Sequence, residues 1–327
     1  MIKFTSLVTL LAAVVVCLLP AAPALAQRDR VFVASYGSDS NPCTFGSPCK
    51  TFQNAVNVVA QGGEVTAIDS AGFGTFTISH AVTITSPNGV EAGVAAPASG
   101  SAAITINAQS GDVISLNGLT LDGDNVASTI GIQFNSGGAL HVQNCVIRNF
   151  GANGSNAGDG IDFVPNASTS SQISVSNTVV SDNAVYGIYI NPTGSGPTIG
   201  ALDHVELDNN AYNGLFVFSN SSTTNVSVTD SVIANSGITN NGAGIYAESL
   251  ASTPVKVMVR DSTIANNTGD GLFAENTGAT IRVSRSTITG NGAGWAITST
   301  GTVTSFGDNE IIDNTTTVAA PPKSTEE

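Results

Sequence analysis

Apolar and polar positions alternate in short runs that return at nearly regular intervals along the chain. The runs read Leu140-His-Val-Gln-Asn-Cys-Val-Ile147, Ile173-Ser-Val-Ser-Asn-Thr-Val-Val180, Val226-Ser-Val-Thr-Asp-Ser-Val-Ile233, Val257-Met-Val-Arg-Asp-Ser-Thr-Ile264 and Ile281-Arg-Val-Ser-Arg-Ser-Thr-Ile288. Weaker copies place their polar corners at Gly118, His204 and Asp308, and successive corners lie 26, 33, 27, 26, 31, 24 and 23 residues apart. Alternation with period two turns one side of each strand inward. A repeat of this length predicts a solenoid, in which each unit buries its apolar side only against its neighbours.

Stacking the copies aligns like with like. Val142, Val175, Leu202, Val228, Val259 and Val283 form one inward column, and Ile147, Val180, Leu207, Ile233, Ile264 and Ile288 form another. A third column is small: Cys145, Thr178, Val205, Ser231, Ser262 and Ser286, which makes Cys145 a core residue rather than a reactive thiol. Five residues past each corner stand Gly123, Asn149, Asp182, Asn209, Asn235, Asn266, Gly290 and Asp313. These residue types tolerate positive φ, so a left-handed turn is expected there, with amides able to hydrogen-bond along the stack. A further strand opens in every coil with Gly and a large apolar residue: Gly131-Ile132, Gly160-Ile161, Gly187-Ile188, Gly214-Leu215, Gly244-Ile245, Gly271-Leu272 and Gly294-Trp295.

With this coil pattern, Val-x-Asn/Asp-Ser/Thr-x-Ile-x-x-Asn followed by Gly-Ile, the chain resembles the pectate-lyase-like right-handed β-helix proteins, among them bacterial secreted repeat proteins. The resemblance runs from about Val31 to Asn314 and includes the opening segment Val31-Phe-Val-Ala-Ser-Tyr-Gly-Ser-Asp-Ser-Asn-Pro and Pro48-Cys-Lys-Thr-Phe-Gln-Asn-Ala55. The expected fold is all-β: a single-stranded right-handed parallel β-helix, or pectin-lyase-like solenoid, with an N-terminal capping helix. Residues 1–26 read as a signal peptide, 27–62 as an N-terminal cap with a local disulfide, 63–314 as the β-helix and 315–327 as a flexible tail. Within the cap, Phe52, Ala55, Val56 and Val59 recur at helical spacing between Thr51 and Ala60, as an amphipathic lid on the first coil would require. At the other end, Trp295 is placed to close the core.

The first 26 residues combine Lys3, an apolar run from Leu7 to Leu19 and Ala24-Leu25-Ala26, the features of a cleaved secretory signal. An exported protein, extracellular or periplasmic, is therefore expected, and no segment is long enough for a membrane span. Export also favours a disulfide between Cys43 and Cys49, six apart in a loop holding two prolines and a glycine. Charged residues make up only 10% of the chain, with 24 acidic against 10 basic. That balance excludes nucleic acid as a partner, since binding it rests on neutralising phosphates. It also disfavours polyanionic glycans unless a cation bridges them.

Candidate chemistry lies on the residue after each Gly-Ile pair, where the column reads Gln133, Asp162, Tyr189, Phe216, Tyr246, Phe273 and Ala296. Four consecutive aromatics stand out in a chain that is 6% aromatic. The next outward column holds Asn135, Val164, Asn191, Phe218, Glu248, Glu275 and Thr298. With coils about 4.8 Å apart, this predicts an exposed aromatic strip roughly 15 Å long, bordered by amides and carboxylates. One reading is a polysaccharide or cell-surface glycan site on Tyr189, Phe216, Tyr246 and Phe273, with Asp162 and Asn191 beside them. Aromatic pairs that only stabilise the sheet, and a protein-docking scaffold at the cell surface, are the other two.

The resemblance also implies the chemistry of polysaccharide lyases, hydrolases and epimerases. The neighbouring carboxylates of Glu248 and Glu275 have the arrangement of a retaining glycosidase pair, with repulsion expected to raise one pKa. The hydrolases resembled use an Asp, an adjacent Asp pair and Gly-His-Gly; here Asp-Asp and Gly-His-Gly are absent, and Gly158-Asp-Gly-Ile-Asp162 matches only part of that motif. Lyases need a basic residue, often with calcium. Arg260, Arg282 and Arg285 form the one basic cluster, with Asp230 and Asp261 placed to pair with it. His80, His141 and His204 have no metal-ligand spacing, and no motif calls for calcium or another cofactor. The sequence therefore favours carbohydrate binding without an identified catalytic site; oligomeric state is not encoded in these patterns.

Overall fold

A computed structural model of the chain describes residues 28–95, 99–153, 157–239, 242–250 and 252–324. Residues 1–26, where the signal peptide is expected, lie outside the described residues. The remainder is a parallel β-helix. A nine-stranded sheet runs from Phe76–Ile78 to Ala293–Thr298, and a 19-stranded sheet takes the other sides of the same coils. Its strands pair in parallel across neighbouring coils, as Val142↔Val175↔Leu202↔Val228↔Val259↔Val283 illustrates. The second aliphatic column, Ile147 to Ile288, is equally continuous. Both columns are buried in one core extending from Val31 to Val303.

The small column does more than fill space. Cys145 N–H donates to Thr178 Oγ1 (3.3 Å), Val205 N–H to Ser231 Oγ (3.1 Å), Ser231 N–H to Ser262 Oγ (3.2 Å) and Ser262 N–H to Ser286 Oγ (3.2 Å). Each hydroxyl thus receives a backbone donor freed at the corner of the preceding coil, where the ladder is interrupted. Cys145 is buried, and burial pushes its thiol up to about 11, so it is an inert core residue.

The left-handed positions five past the corner are present at Asn149, Asp182, Asn209, Asn235, Asn266, Gly290 and Asp313, with φ between 53° and 69°. Gly123 departs from the expectation: Asp124 (φ 48°) and Asn125 (φ 54°) take the left-handed turn instead. The corners Asn144, Asn177, His204, Asp230, Asp261 and Arg285 are left-handed as well, with φ of 46° to 53°, so each of these coils turns twice by the same device.

The buried amide ladder lies one residue beyond the expected column, in two runs that break between Asn210 and Ser236. Asn183 Nδ2 donates to Asn210 Oδ1 (2.9 Å), Asn267 Nδ2 to Asn291 Oδ1 (2.9 Å) and Asn291 Nδ2 to Asn314 Oδ1 (3.0 Å). Ser236 stands in for Asn in the intervening coil and donates its N–H to Asn267 Oδ1 (3.0 Å). The expected column makes only separate links, such as Asn209 Nδ2 to Asp182 Oδ1 (2.7 Å), because its side chains face solvent at the turn. The Gly column explains why the ladder fits. A Cβ on Gly187 would lie 2.6 Å from Gly214 O and 2.8 Å from Asn210 Nδ2, and one on Gly271 would lie 2.7 Å from Gly294 O and 3.0 Å from Asn291 Nδ2.

At the N-terminal end a helix covers Phe52–Val58, shorter than the expected Thr51 to Ala60 because Val59 already enters a strand. Thr51 caps it by accepting from Asn54 N–H, and Phe52 packs on Phe73 and Phe76 with ring centroids 5.0 and 5.1 Å apart. Cys43 and Cys49 form the expected disulfide. At the other end Trp295 packs against the core and its Nε1 donates to Ala319 O (2.8 Å). The segment expected as a flexible tail lies along the last coils: Thr316 bridges Ala293, and Lys323 bridges Ser305. Its two prolines interrupt the coil pattern without preventing these backbone pairings.

Candidate functional site

The nine-stranded sheet aligns Gln133, Asp162, Tyr189, Phe216, Tyr246, Phe273 and Ala296 in one column, as the repeat predicts. The rings of Tyr189, Phe216, Tyr246 and Phe273 follow one another at 5.2, 4.5 and 4.9 Å. Phe216 and Tyr246 are nearly parallel, with 10° between their ring planes. Stacked in this way, the rings spend their faces on each other and turn edges outward. The strip is also less exposed than expected: Phe216 is only 7% exposed, because Tyr186 packs on it at 5.2 Å and Phe218 at 6.1 Å.

Tyr186 and Tyr212 widen the strip into a cluster. Tyr186 lies 5.2 Å from Tyr189 and meets Tyr212 edge-on at 6.1 Å. Both belong to the turns that precede the Gly-Ile step, so strand periodicity alone does not bring them to this face; a Tyr one or two residues before the Gly (Tyr186-Gly187, Tyr212-Asn-Gly214) was the available signal. Together with Asn213, Gly242, Ala243, Tyr246, Asp270 and Phe273 they line a groove of about 400 Å³. That volume lies within the ~300–1,000 Å³ of small-ligand sites. Gly242 and Ala243 form one wall of the groove, and the Ala243 N–H donates to Asn213 Oδ1 (2.7 Å).

Two acidic pairs flank the aromatic cluster. At one end, Asp159 stands just before the strand Ile161–Phe163 and Asp162 lies within it. Asp159 is buried and accepts the Tyr186 N–H (3.0 Å). Burial, and then the charge of Asp162, raise its pKa to about 8. Asp162 is 9% exposed, its buried Oδ1 has no hydrogen-bond partner, and burial raises its pKa to about 6. The partial motif Gly158-Asp-Gly-Ile-Asp162 thus contains the two most perturbed carboxyls among the described residues, though not in the geometry of an adjacent Asp pair.

At the other end, Glu248 and Glu275 are direct neighbours across coils, as expected. The Tyr246 hydroxyl reaches both, at 3.1 Å from Glu248 Oε2 and in a close hydrogen bond to Glu275 Oε2. One phenolic proton cannot serve two carboxylates, so the triad is satisfied when one carboxyl is itself protonated. Burial is the main cause that raises the Glu248 pKa, with Glu275 adding repulsion. Burial and these carboxyls also push the Tyr246 phenol upward, and Tyr189, which Asn191 hydrogen-bonds, rises mainly by burial.

The arginine cluster is elsewhere. Lys256, Arg260 and Arg282 project from the 19-stranded sheet, and Arg285 from its corner. Asp261 holds Arg285 through two bonds of 2.7 and 2.8 Å and Arg260 at 3.1 Å. Arg260 and Arg282 therefore stand on a different sheet from Glu248 and Glu275. The coil stacking does bring His204 beside Asp203 and Asp230, an exposed group that spacing within one coil hides. It is the one cluster of three ligand-type side chains among the described residues, and the His204 Nδ1–Asp203 Oδ2 contact of 3.1 Å accounts for its arrangement.

With this geometry in hand, comparison with known proteins places the fold. The profile of the "Right handed beta helix region" family matches residues 227–316. No curated protein sequence matches the chain. Among solved structures, it superposes on the pectate lyase Pel9A with a TM-score of 0.67 at 14% identity, covering 86% of this chain and 75% of that one. It also superposes on the GH136 lacto-N-biosidase from Eubacterium ramulus with a TM-score of 0.52 at 11% identity, covering 87% of this chain and 68% of that one. The protein therefore has the pectate-lyase-like right-handed β-helix fold. Among the described residues no helix is long and apolar enough to cross a membrane.

Proposed function

We propose that this is an exported β-helix protein that binds a polysaccharide or cell-surface glycan along the groove bordered by Tyr186, Tyr189, Tyr212, Phe216, Tyr246 and Phe273. The observation that carries the reading is the joining of a stacked aromatic column to a groove of about 400 Å³ rimmed by amide and carboxyl groups. Because the strip rings face one another, the apolar contact offered to a sugar is their edges and the differently oriented Tyr186 and Tyr212 rings. Asn191, Asn213 and Asp270 supply hydrogen-bonding groups for hydroxyls. A pectate lyase and a lacto-N-biosidase share the fold, which supports a carbohydrate as the ligand class.

A second reading, glycan cleavage, is favoured by one specific observation: Asp159 and Asp162 keep their protons toward neutral pH, the state a general acid requires. Native affinity electrophoresis of the mature protein through gels of neutral and acidic polysaccharides, with and without calcium, tests the first reading. Retardation by a glycan, lost when Tyr189, Tyr246 and Phe273 are changed to alanine, is expected. Unchanged mobility in every gel would remove the carbohydrate reading in favour of a structural, protein-docking surface. New reducing ends from a retarded glycan would establish the second reading.

A further inference from the structure

Charge is sorted between the faces of this solenoid. The described strands of the nine-stranded sheet carry Asp162, Glu248, Asp270 and Glu275, and no Lys, Arg or His. The lining of the aromatic groove likewise includes an acid, Asp270, and no base. Asp162 is the least compensated of these groups. It is more than nine-tenths buried, lies between Gln133 and Tyr189 in register, and its Oδ1 has no partner. The titratable groups packed around it are Asp159, Tyr186 and Tyr189, none of which brings positive charge.

A site built of aromatic rings and uncompensated carboxyls attracts a cation twice over, through the ring quadrupoles and through Coulomb attraction strengthened by partial burial. The same site repels a uronate at each of its acidic groups. We infer that the groove, together with the adjoining aromatic column that ends at Asp162 beside Tyr189, selects a glycan bearing free amino groups, a glucosamine-type polymer, over acetylated or uronic-acid glycans. This assignment of ligand class rests on the carbohydrate reading above. An ammonium group on the sugar supplies the positive charge missing from the sheet, and the ring edges and hydroxyls hold the pyranose that carries it.

The test compares three hexasaccharides by isothermal titration calorimetry against the full mature chain: β-1,4-linked glucosamine, its fully N-acetylated counterpart and oligogalacturonate. The glucosamine oligomer is expected to bind at least tenfold more tightly than either. Its affinity should pass through a maximum between pH 5 and pH 7, because Asp162 loses its proton at about 6 while the sugar amines begin to lose their charge as neutrality is approached. Asp162→Asn preserves side-chain volume and should cut that affinity by tenfold or more while leaving the melting transition cooperative. Equal or tighter binding of the acetylated or uronate oligomer would overturn the amino-sugar assignment while leaving the carbohydrate reading intact. A lysine hexapeptide bound as tightly and with the same Asp162 dependence would overturn it in favour of a cationic protein partner. Silence from all three sugars would overturn both the assignment and the reading it rests on. The wild-type comparison stands even if Asp162→Asn were to unfold.

Discussion

The same coils present two faces that treat acidic residues in opposite ways. On the wider sheet and its corners, Glu64, Asp122 and Asp261 have cationic or multiple hydrogen-bond partners. Partial burial works to raise the pKa of Glu64 and Asp122, and it is outweighed by hydrogen bonds from Arg30 and Thr66 to the first and from Asn149, Asp124 N–H and Arg148 to the second. Arg285 holds Asp261 below the usual carboxylate range. On the nine-stranded side, Asp159, Asp162, Glu248 and Asp270 are all raised, chiefly by burial, with no cation among their causes. The difference teaches that exposed charge on one face serves solubility and local structure, whereas the other face holds carboxyls in a state that costs folding free energy. Such an uncompensated cost is tolerated where a ligand can relieve it.

The comparison is broken most severely by removing the ring at the centre of the narrow face. Phe216→Ala should destabilise the protein by about 4 kcal/mol in urea unfolding, since it empties a buried position and separates Tyr189 from Tyr246. A loss below ~1 kcal/mol would mean that the stack is an ornament on the sheet and not part of its packing.

Next in size is the acid penalty itself. A carboxyl whose folded pKa is raised binds its proton more tightly folded than unfolded, so stability is full below the unfolded pKa near ~4 and falls as pH rises through the folded value. For Asp159 and Asp162 that window runs from the ordinary carboxylate range to about 8 and about 6. Asp159→Asn keeps an acceptor for Tyr186 N–H and removes the ionisation. It should stabilise the protein by roughly 3 kcal/mol at pH 8 and by little at pH 4. Parallel stability curves for the two proteins from pH 4 to pH 8 would refute the buried-acid account.

The smallest effect belongs to the wide face. Arg148 and Asp122 are both substantially exposed, with Nε and Oδ2 2.9 Å apart. Arg148→Gln should cost less than about 1 kcal/mol, and 0.5 M salt should shrink the difference further. A larger, salt-insensitive loss would show that the two faces differ less than their charges suggest.

Much of the fold was legible because a parallel solenoid repeats one environment at every coil. Val142, Val175 and Leu202 could be aligned by type, and the structure keeps that register. The ladder was misplaced by one residue because Asn149 and Asn209 look like ladder amides in sequence, while the buried positions Asn183 and Asn210 are separated from them only by which side of the turn they occupy. In the candidate site, Tyr189, Phe216, Tyr246 and Phe273 share a strand position and were readable from it. Asp159, Tyr186 and Tyr212 stand on turns, where no period predicts which way a side chain faces.

Sequence alone determined the coil register, the core columns, the local disulfide pairing of Cys43 with Cys49 and the aromatic column, since period-two alternation and stacking of like on like are properties of neighbouring residues and of the repeat length. Tertiary structure alone decided that the ring faces lie against one another, that Tyr186 buries Phe216, that Asp162 Oδ1 is left without a partner and that the arginines stand on the other sheet. Those outcomes depend on distances between separate coils and on how completely water is excluded, and both arise only when the coils are stacked.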